Sequence, residues 1–210
     1  MNQFILMQIK NPINLHKGLT AGIVIGMMFW FDNFSTGAWV YLALHGSYGF
    51  LWLMKDRLYP DKKWEEEVSI PYAILVFVAL GLYWIAPFIL ISQYKMPGDV
   101  IIAVAVALNM FGMVLHFGSD AQKYFTLQHK PGLITYGFFA RCRNPNYLGE
   151  LMIYVGFAML SVSWMGYIGI VLFFTFVFIP GMIKKDKSLA RYPEFAEYKK
   201  RSGLMWPKIK

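Results

Sequence analysis

The sequence predicts an all-α integral membrane protein with about six transmembrane helices (five to seven). Hydrophobic residues make up 57% of the 210 positions and aromatic residues 18%, while only 15% are charged. Soluble globular domains carry roughly 25% charged residues. Long apolar runs recur along the chain, and the basic residues collect in the segments between particular runs. We therefore expect lipid to be the solvent of much of the surface.

Five apolar runs cover residues 19–31, 35–54, 69–92, 98–117 and 151–183. A helix that crosses the hydrocarbon core of a bilayer needs about 20 residues. The first run has 13 residues, so an interfacial or re-entrant segment is its alternative interpretation. The last run is too long for one crossing. Small polar residues at 161–166 predict a tight helical hairpin there, which brings the expected number of spans to six.

The distribution of basic residues predicts the orientation of these spans. The first 18 residues lack the pattern of a cleaved signal peptide, so we expect the first span to be retained. Six spans would place 19 of the 20 Lys and Arg residues on one face and only Lys95 on the other. Lys and Arg concentrate on the cytoplasmic side of membrane proteins. We therefore predict a multi-pass protein with both termini in the cytoplasm.

Composition also limits the partners. Cys142 is the single cysteine, which excludes an internal disulfide framework and a cysteine-rich zinc site, so we predict no metal. The expected partners are the bilayer and a lipophilic small molecule, with no nucleic acid and the oligomeric state left open. We assign residues 1–117 to the lipid-substrate side and residues 118–210 to a second half with a hairpin and a basic tail, within one membrane domain.

The segment of residues 119–150 carries many polar side chains beside apolar runs. It breaks at Pro131-Gly132 and turns back at Asn144-Pro145, where the residue before proline is held extended. We expect Glu150 in the first turn of the next helix, where the helix dipole favours a carboxylate. Helix capping explains this glutamate but not the arginines and asparagines that precede it.

Two other connecting segments leave alternatives open. Residues 55–68 mix both charges and are typical of a solvated loop, although residues 65–67 could instead place a carboxylate under the third span. The tail from residue 184 is basic and rich in aromatic residues. It could lie on the membrane surface, or it could fold back over residues 144–150 and close a pocket at the cytoplasmic mouth of the helices. Both could hold, with one face of the tail on lipid and the other face on a ligand.

Polar residues from the second half form a strip on one predicted side of the membrane: Asp120, Arg141, Arg143, Asn144, Asn146, Glu150, Lys184, Lys185 and Arg191. Cations bind phosphates through charge-assisted hydrogen bonds. Asparagine amides both donate and accept, which suits a carboxamide or a purine edge. Carboxylates suit ribose hydroxyls. The strip predicts a cytoplasmic pocket for a large anionic cofactor, closed by the tail, with a lipid substrate entering from the bilayer.

Two motifs carry a resemblance to a known family. RNPNYLGE at residues 143–150, followed by two apolar helices and by LARYPEFAEYKKRSGLMWP at residues 189–207, resembles the C-terminal half of the steroid 5-alpha-reductase and sterol reductase families and of a related domain of unknown function. A more distant similarity links it to isoprenylcysteine carboxyl methyltransferases and phospholipid methyltransferases. The resemblance covers residues 118–207.

The reductase branch is the better match. Reductases carry an asparagine, an aromatic residue, a glycine and an acid in the order of residues 146, 147, 149 and 150, after a Ser-Asp pair like Ser119-Asp120 and a Lys-Pro-Gly like residues 130–132. Methyltransferases typically have Arg-His-Pro-x-Tyr, where this chain has an asparagine at position 144, and paired glutamates where this chain has only Asp186.

The resemblance implies an NADPH-dependent reductase of a C=C bond in a steroid-like or enone lipid. It implies cofactor contacts by Asp120, Asn146, Tyr147 and Glu150, with cations near the phosphates. The full set of predicted cofactor-binding residues is Asp120, Arg141, Arg143, Asn144, Asn146, Tyr147, Glu150, Lys184, Lys185, Asp186, Arg191 and Tyr198. The catalytic acid has no local pattern here, and the candidates are Glu66, Tyr83, His116 and His45, the last within a predicted span.

Two other functions remain open at this stage. In a methyltransferase, the same pocket would hold S-adenosylmethionine, with Glu150 or Asp186 binding its amino group and a lipid as the methyl acceptor. In a noncatalytic protein, the pocket would serve as a lipid or nucleotide sensor. A transporter fits less well, because the polar residues cluster at one mouth of the helices and do not line a path at midplane.

Overall fold

The computed structural model describes residues 6–209 and is largely helical. Its α-helices are α1 (Lys10–Trp30), α2 (Thr36–Leu58), α3 (Ile70–Leu80), α4 (Ile85–Ser92), α5 (Asp99–His129), α6 (Pro145–Leu160), α7 (Ile168–Phe173), α8 (Ile179–Leu189) and α9 (Phe195–Arg201). Short 3₁₀ helices cover Lys62–Glu65, Gly81–Trp84, Gly137–Phe139 and Trp164–Tyr167, and a π-helix covers Phe174–Phe178. Two strands, β1 (Leu6–Gln8) and β2 (Glu67–Ser69), pair antiparallel.

Three helical stretches are long and apolar enough to cross a membrane within residues 6–209: Ile70–Ser92, Asp99–His129 and Trp164–Leu189. The first joins α3 to α4 through a 3₁₀ turn, and the last joins α7 to α8 through the π-helix. These stretches support a membrane protein. Helices α1, α2 and α6 coincide with the other predicted spans, and their crossing of the bilayer stays a prediction.

The predicted interruption of the helix within residues 151–183 is confirmed, whereas the two crossings that a hairpin there would make stay a prediction. Helix α6 ends at Leu160, and the chain turns through Val162, whose φ is 46°. The Ser163 side chain then accepts a hydrogen bond from the Met165 amide, at 3.3 Å, and caps the following 3₁₀ turn. Small polar residues thus satisfy the backbone groups that the helix end leaves unpaired.

The chain divides into two compact units within the described residues. Unit 1 comprises the chain up to Val106 together with Gly156–Gly169, and unit 2 comprises Ala107–Val155 and the chain from Ile170 onward. In unit 1, α1 and α2 approach closely at Gly49, because a Cβ there would collide with the Lys17 carbonyl oxygen. The predicted solvated loop of residues 55–68 proves partly ordered, since β2 pairs with β1 from Leu6↔Ser69 to Gln8↔Glu67.

In unit 2, α5 packs against α6 through facing glycines. A Cβ on Gly112 would come within 2.7 Å of the Gly149 carbonyl oxygen, so any larger residue would separate the helices. Helix α5 also continues to His129, well beyond the predicted end of the span at residue 117. Ser119 and Asp120 are therefore helical residues of α5, and they follow His116, which contacts Asn146 at the start of α6.

Candidate functional site

The candidate site is the junction at which the tail meets the loop before α6. Cys142 and Gly203 form a parallel β-bridge. The Arg143 amide donates to the Gly203 carbonyl and the Gly203 amide donates to the Arg141 carbonyl, both at 2.9 Å. The Lys208 amide also donates to Arg141, at 3.1 Å. The tail therefore folds back on residues 141–144, at the edge of the predicted contact with residues 144–150, and the closing of a pocket stays a prediction. We call this contact the loop–tail junction.

Side chains strengthen the loop–tail junction by reaching backbone carbonyls across it. Asn144 Nδ2 donates to the Leu204 carbonyl at 2.8 Å, and Cys142 Sγ donates to the Met205 carbonyl at 2.8 Å. Tyr198 Oη donates to the Phe139 carbonyl at 2.6 Å. These carbonyls accept hydrogen bonds from side chains instead of from backbone amides of a helix or strand. The identities of these side chains therefore determine how the loop and the tail meet.

Arg143 is the centre of the junction and is only 5% exposed. Its Nε donates to Asp186 Oδ1 at 2.9 Å and its Nη2 to Asp186 Oδ2 at 3.0 Å, which makes a bidentate pair. Its Nη1 donates to the Ser202 carbonyl and, at 3.2 Å, to Ser202 Oγ. The guanidinium thus links α8 to the tail. The structure gives this arginine a positioning role in addition to any contact with a ligand.

Lys185 brings α5 and α8 to the same junction. Its Nζ donates to the Arg143 carbonyl at 2.8 Å and lies 5.4 Å from the centroid of the Phe139 ring. It also interacts electrostatically with Lys123 and with Asp120. Two predicted cofactor residues, Asp120 and Lys185, therefore lie within electrostatic reach of each other although 65 positions separate them.

The start of α6 contributes buried amide groups. The Oδ1 atoms of Asn144 and Asn146 are buried and have no hydrogen-bond partner among the described residues. His116 Nδ1 donates to the Asn146 carbonyl at 3.1 Å, and Ser119 Oγ donates to the His116 carbonyl at 3.3 Å. An amide oxygen buried without a partner costs about 1–3 kcal/mol. Two such oxygens at the start of one helix indicate places for hydrogen-bond donors.

Tyr147 and Glu150 lie on α6 and are partly exposed. The Tyr147 ring packs 5.0 Å from that of Phe178, and its hydroxyl lies beside Gly181, where a Cβ would come within 2.8 Å of it.

Our prediction for Glu150 was wrong in one respect. The helix begins at Pro145, so this carboxylate lies beyond the first turn. Proline suits the first helical position because its nitrogen has no hydrogen to leave unpaired.

Other predicted residues lie at the margin of the junction or outside unit 2. Arg141, Lys184 and Arg191 are exposed, and Arg191 hydrogen-bonds to Ser188 and Tyr192. Of the catalytic candidates, His116 alone belongs to unit 2, while Glu66, Tyr83 and His45 belong to unit 1. Sequence reasoning missed Ser202 and Lys123. Lys123 follows Asp120 by one helical turn, a spacing that could have drawn attention to it.

Burial disfavours ionisation of two side chains of the junction, the Cys142 thiol and the Tyr198 hydroxyl. It raises the pKa of the Cys142 thiol above its ordinary value, and it raises the pKa of the Tyr198 hydroxyl to about 12. Both groups donate hydrogen bonds to carbonyls, which requires that they keep their protons. Cys142 is therefore a buried structural thiol here.

Fold and junction together define a helical protein with membrane-spanning features and a basic, amide-lined polar site at one end of its helices. The family described as "Protein of unknown function (DUF1295)" matches residues 54–202. The chain belongs to this family. No curated protein and no solved structure matches the chain. The matched region contains Arg143, Asp186 and Ser202, so the central contacts of the junction lie within it.

Proposed function

We propose that the protein is a membrane-embedded, NADPH-dependent reductase of a C=C bond in a lipidic enone. The buried amide oxygens of Asn144 and Asn146, which have no hydrogen-bond partner among the described residues, carry this proposal together with the resemblance at residues 143–150. These oxygens would accept hydrogen bonds from a carboxamide or an exocyclic amine. Both groups occur in a nicotinamide–adenine dinucleotide.

Charge supports a dinucleotide over S-adenosylmethionine. Residues 118–210 contain 13 of the 20 Lys and Arg residues but only five of the 12 Asp and Glu residues. Such an excess of positive charge favours a polyanion. A methyltransferase site needs a carboxylate for the amino group of a cationic cofactor. Asp186 is already paired with Arg143, which leaves Glu150 for that role. The Arg-x-Pro-x-Tyr order at residues 143–147 keeps methyl transfer as the second candidate.

The residues present fit NADPH as follows. Asn144 and Asn146 would accept from its amides, Asp120 would accept from ribose hydroxyls, and Lys123 and Lys185 would face its phosphates. Bound NADPH would supply a hydride. Arg143 would hold the loop against the tail and keep the two asparagines in place, because it ties residues 186 and 202 to its own backbone segment.

Reduction of an enone also demands stabilisation of the enolate oxygen that forms. His116 is the candidate donor within unit 2, since its Nδ1 donates to Asn146 and this contact fixes the orientation of the ring. The proposal includes the finer topology, with six spans, both termini in the cytoplasm and the junction facing the cytoplasm. The positive-inside rule supports that orientation.

Ligand-dependent unfolding tests the proposal. Detergent-purified protein would be heated with NADPH, NADH, S-adenosylmethionine or S-adenosylhomocysteine. A ligand at a hundredfold excess over its Kd adds about 2.7 kcal/mol to the free energy of unfolding. We expect NADPH to raise the melting temperature and the adenosyl compounds to leave it unchanged. The opposite pattern would establish the methyltransferase assignment instead.

Single substitutions test which residues bind NADPH. Asn146→Ala and Glu150→Gln should remove the NADPH-dependent shift while the protein still purifies as a folded species. Gln93→Ala is the matched control, because Gln93 is an exposed amide in unit 1, and it should keep the full shift. A full shift in Asn146→Ala would show that the amide does not contact the cofactor.

A further inference from the structure

A polar side chain lies buried in the middle of an apolar helix. Helix α5 is long and apolar enough to cross a membrane, and its stretch between Asp99 and Asp120 contains no Lys, Arg, Asp or Glu. Asn109 stands at the centre of that stretch, and its side chain is fully buried. Polar residues at such positions are costly, and their usual explanation is a function. The proposed function does not use Asn109.

Both polar atoms of this amide lack a hydrogen-bond partner. Oδ1 and Nδ2 of Asn109 are each buried with no donor or acceptor in reach among residues 6–209. Asn33, which is buried in unit 1, shows the usual arrangement. Its Nδ2 donates to the Ile91 carbonyl at 2.8 Å, and its Oδ1 accepts from the Ser35 amide at 3.1 Å. Burial of an amide without such partners destabilises a folded chain, so Asn109 has an unused donor and an unused acceptor.

Helical periodicity directs Asn109 towards α6. Residues that are three, four or seven positions apart share one face of a helix. Gly112 faces α6, since a Cβ there would come within 2.7 Å of the Gly149 carbonyl oxygen. His116 also faces α6, since its Nδ1 donates to the Asn146 carbonyl at 3.1 Å. Asn109 precedes them by three and seven positions and therefore lies on the same face of α5, within unit 2.

Asn109 is deeper in the apolar part of α5 than the loop–tail junction. Seven residues of α-helix rise about 10 Å, which is the distance along α5 from His116 to Asn109. Met110, Phe111 and Val114, on the other faces of this part of α5, are exposed, as expected of side chains that contact lipid. Because the amide is enclosed, a ligand reaches it only when neighbouring side chains separate. Such a ligand has to be lipophilic, and the group that meets the amide has to be neutral, since a charge without a partner is costly there.

The chemistry of the amide selects the group that it would bind. An ether or a ketone only accepts hydrogen bonds, so it would pair with Nδ2 and leave Oδ1 unpaired. A carboxylic acid donates and accepts, but it is ionised at neutral pH and would have to be protonated before it entered. A hydroxyl group is neutral, donates to Oδ1 and accepts from Nδ2. It therefore satisfies both atoms of Asn109.

We propose that Asn109 binds the hydroxyl group of a lipophilic alcohol that lies along α5. That this alcohol is the substrate of the reductase rests on the proposed function. In that case the lipidic enone carries a hydroxyl group about 10 Å from the group that reacts near His116. The binding itself requires neither NADPH nor reduction, so it can be measured separately.

The test compares alcohols with their methyl ethers in a detergent without hydroxyl groups, an alkyl amine oxide. Thermal unfolding of the full chain is measured with dodecanol, farnesol, the two methyl ethers or ethanol. We expect at least one long alcohol to raise the melting temperature at about a tenfold lower concentration than its ether requires, because the ether loses a hydrogen bond. Equal effects of each alcohol and its ether, or no effect of either alcohol, would overturn the proposal. An equal effect of ethanol would overturn the lipophilic ligand.

A substitution that keeps the shape of the side chain connects the effect to Asn109. Leucine has a similar shape and no polar atom, so Asn109→Leu should raise the melting temperature without added alcohol and remove the difference between alcohol and ether. Asn33→Leu is the matched control. It loses two existing hydrogen bonds, so it should lower the melting temperature and keep the preference for alcohol. A lower melting temperature in Asn109→Leu would show that the amide is already satisfied, for example by a buried water, and would overturn the proposal.

The experiment with NADPH separates the alcohol site from the proposed function. Asn109→Leu should keep the shift that NADPH causes, and Asn146→Ala should keep the preference for alcohol over ether. A preference for alcohol in a protein that does not respond to NADPH would contradict the reductase and support the alcohol site. A shift with NADPH and no preference for alcohol would overturn the alcohol site alone.

Discussion

Unit 1 and unit 2 each bury basic side chains, but they stabilise them in different ways. Arg143 in unit 2 forms a bidentate pair with Asp186 and also donates to Ser202. Lys17 in unit 1 lies against the faces of Tyr48 and Trp52. A guanidinium offers five donors in a fixed plane and suits a linking role, whereas an ammonium is a compact charge. The buried arginine here connects protein segments, whereas the buried lysine packs against aromatic rings.

The largest expected effect comes from breaking the Arg143 pair. Arg143→Met would leave the Asp186 carboxylate without its partner, and such a loss costs about 3–5 kcal/mol when the pair is buried. We expect a much lower melting temperature. Adding Asp186→Leu should recover most of the stability, because the lone charge is then gone. A single variant as stable as the unaltered protein would show that the junction does not depend on this pair.

The control for that experiment is the exposed pair between Lys200 and Glu197. Their side chains are 73% and 76% exposed, although the atoms lie only 2.6 Å apart. Exposed pairs contribute about 0–1 kcal/mol. Lys200→Gln should therefore leave the melting temperature almost unchanged. A large effect there would mean that burial is not what distinguishes the two pairs.

An intermediate effect is expected where the helices of unit 1 approach most closely. Gly49→Ala would push α1 away from α2, since its Cβ meets the Lys17 carbonyl, and overpacking of this kind typically costs about 1–3 kcal/mol. Gly22→Ala is the control, because a Cβ there meets nothing within 4 Å. We expect a lower melting temperature in the first variant only.

The smallest effect is confined to alkaline pH. The pKa of Tyr198 is raised to about 12 in the folded protein, from about 10 in the unfolded chain. Because folding raises it, the stabilisation is complete below pH 10 and is lost as the pH rises towards 12. Tyr198→Phe should lose less melting temperature than the unaltered protein between pH 10 and 12. Identical losses would contradict the assignment.

The sequence predicted the fold best where apolar runs decide it. Each of the predicted runs coincides with helix, and the break within residues 151–183 falls at Val162, where small polar residues can satisfy the free backbone groups. Helix ends were less predictable. Helix α5 passes the predicted end by 12 residues, because polarity marks where lipid contact ends and not where helical hydrogen bonding ends.

The loop–tail junction was predicted in outline, since the polar motif and the basic tail stand out in the sequence. The individual contacts of the junction were not predicted. Arg143 was predicted to face a ligand, yet its donors go to Asp186 and Ser202, and nothing in the local pattern of either partner specifies such a pairing. The burial of Lys17 was also not foreseen, because it depends on the close approach of α2 at Gly49.

The π-helix at Phe174–Phe178 sets the direction in which α8 presents its side chains. Each residue turns a helix by about 100°, and a π-turn holds one residue more than an α-turn. Deleting one residue there would therefore convert the π-turn into an α-turn and keep the rest of the helix in register. Deleting one residue of α8 between residues 179 and 181 would instead rotate Asp186 away from Arg143 and Met182 away from Leu148 and Met205. The extra residue of the π-helix thus marks the one place in this apolar stretch where a residue can be lost without disturbing the polar contacts of α8.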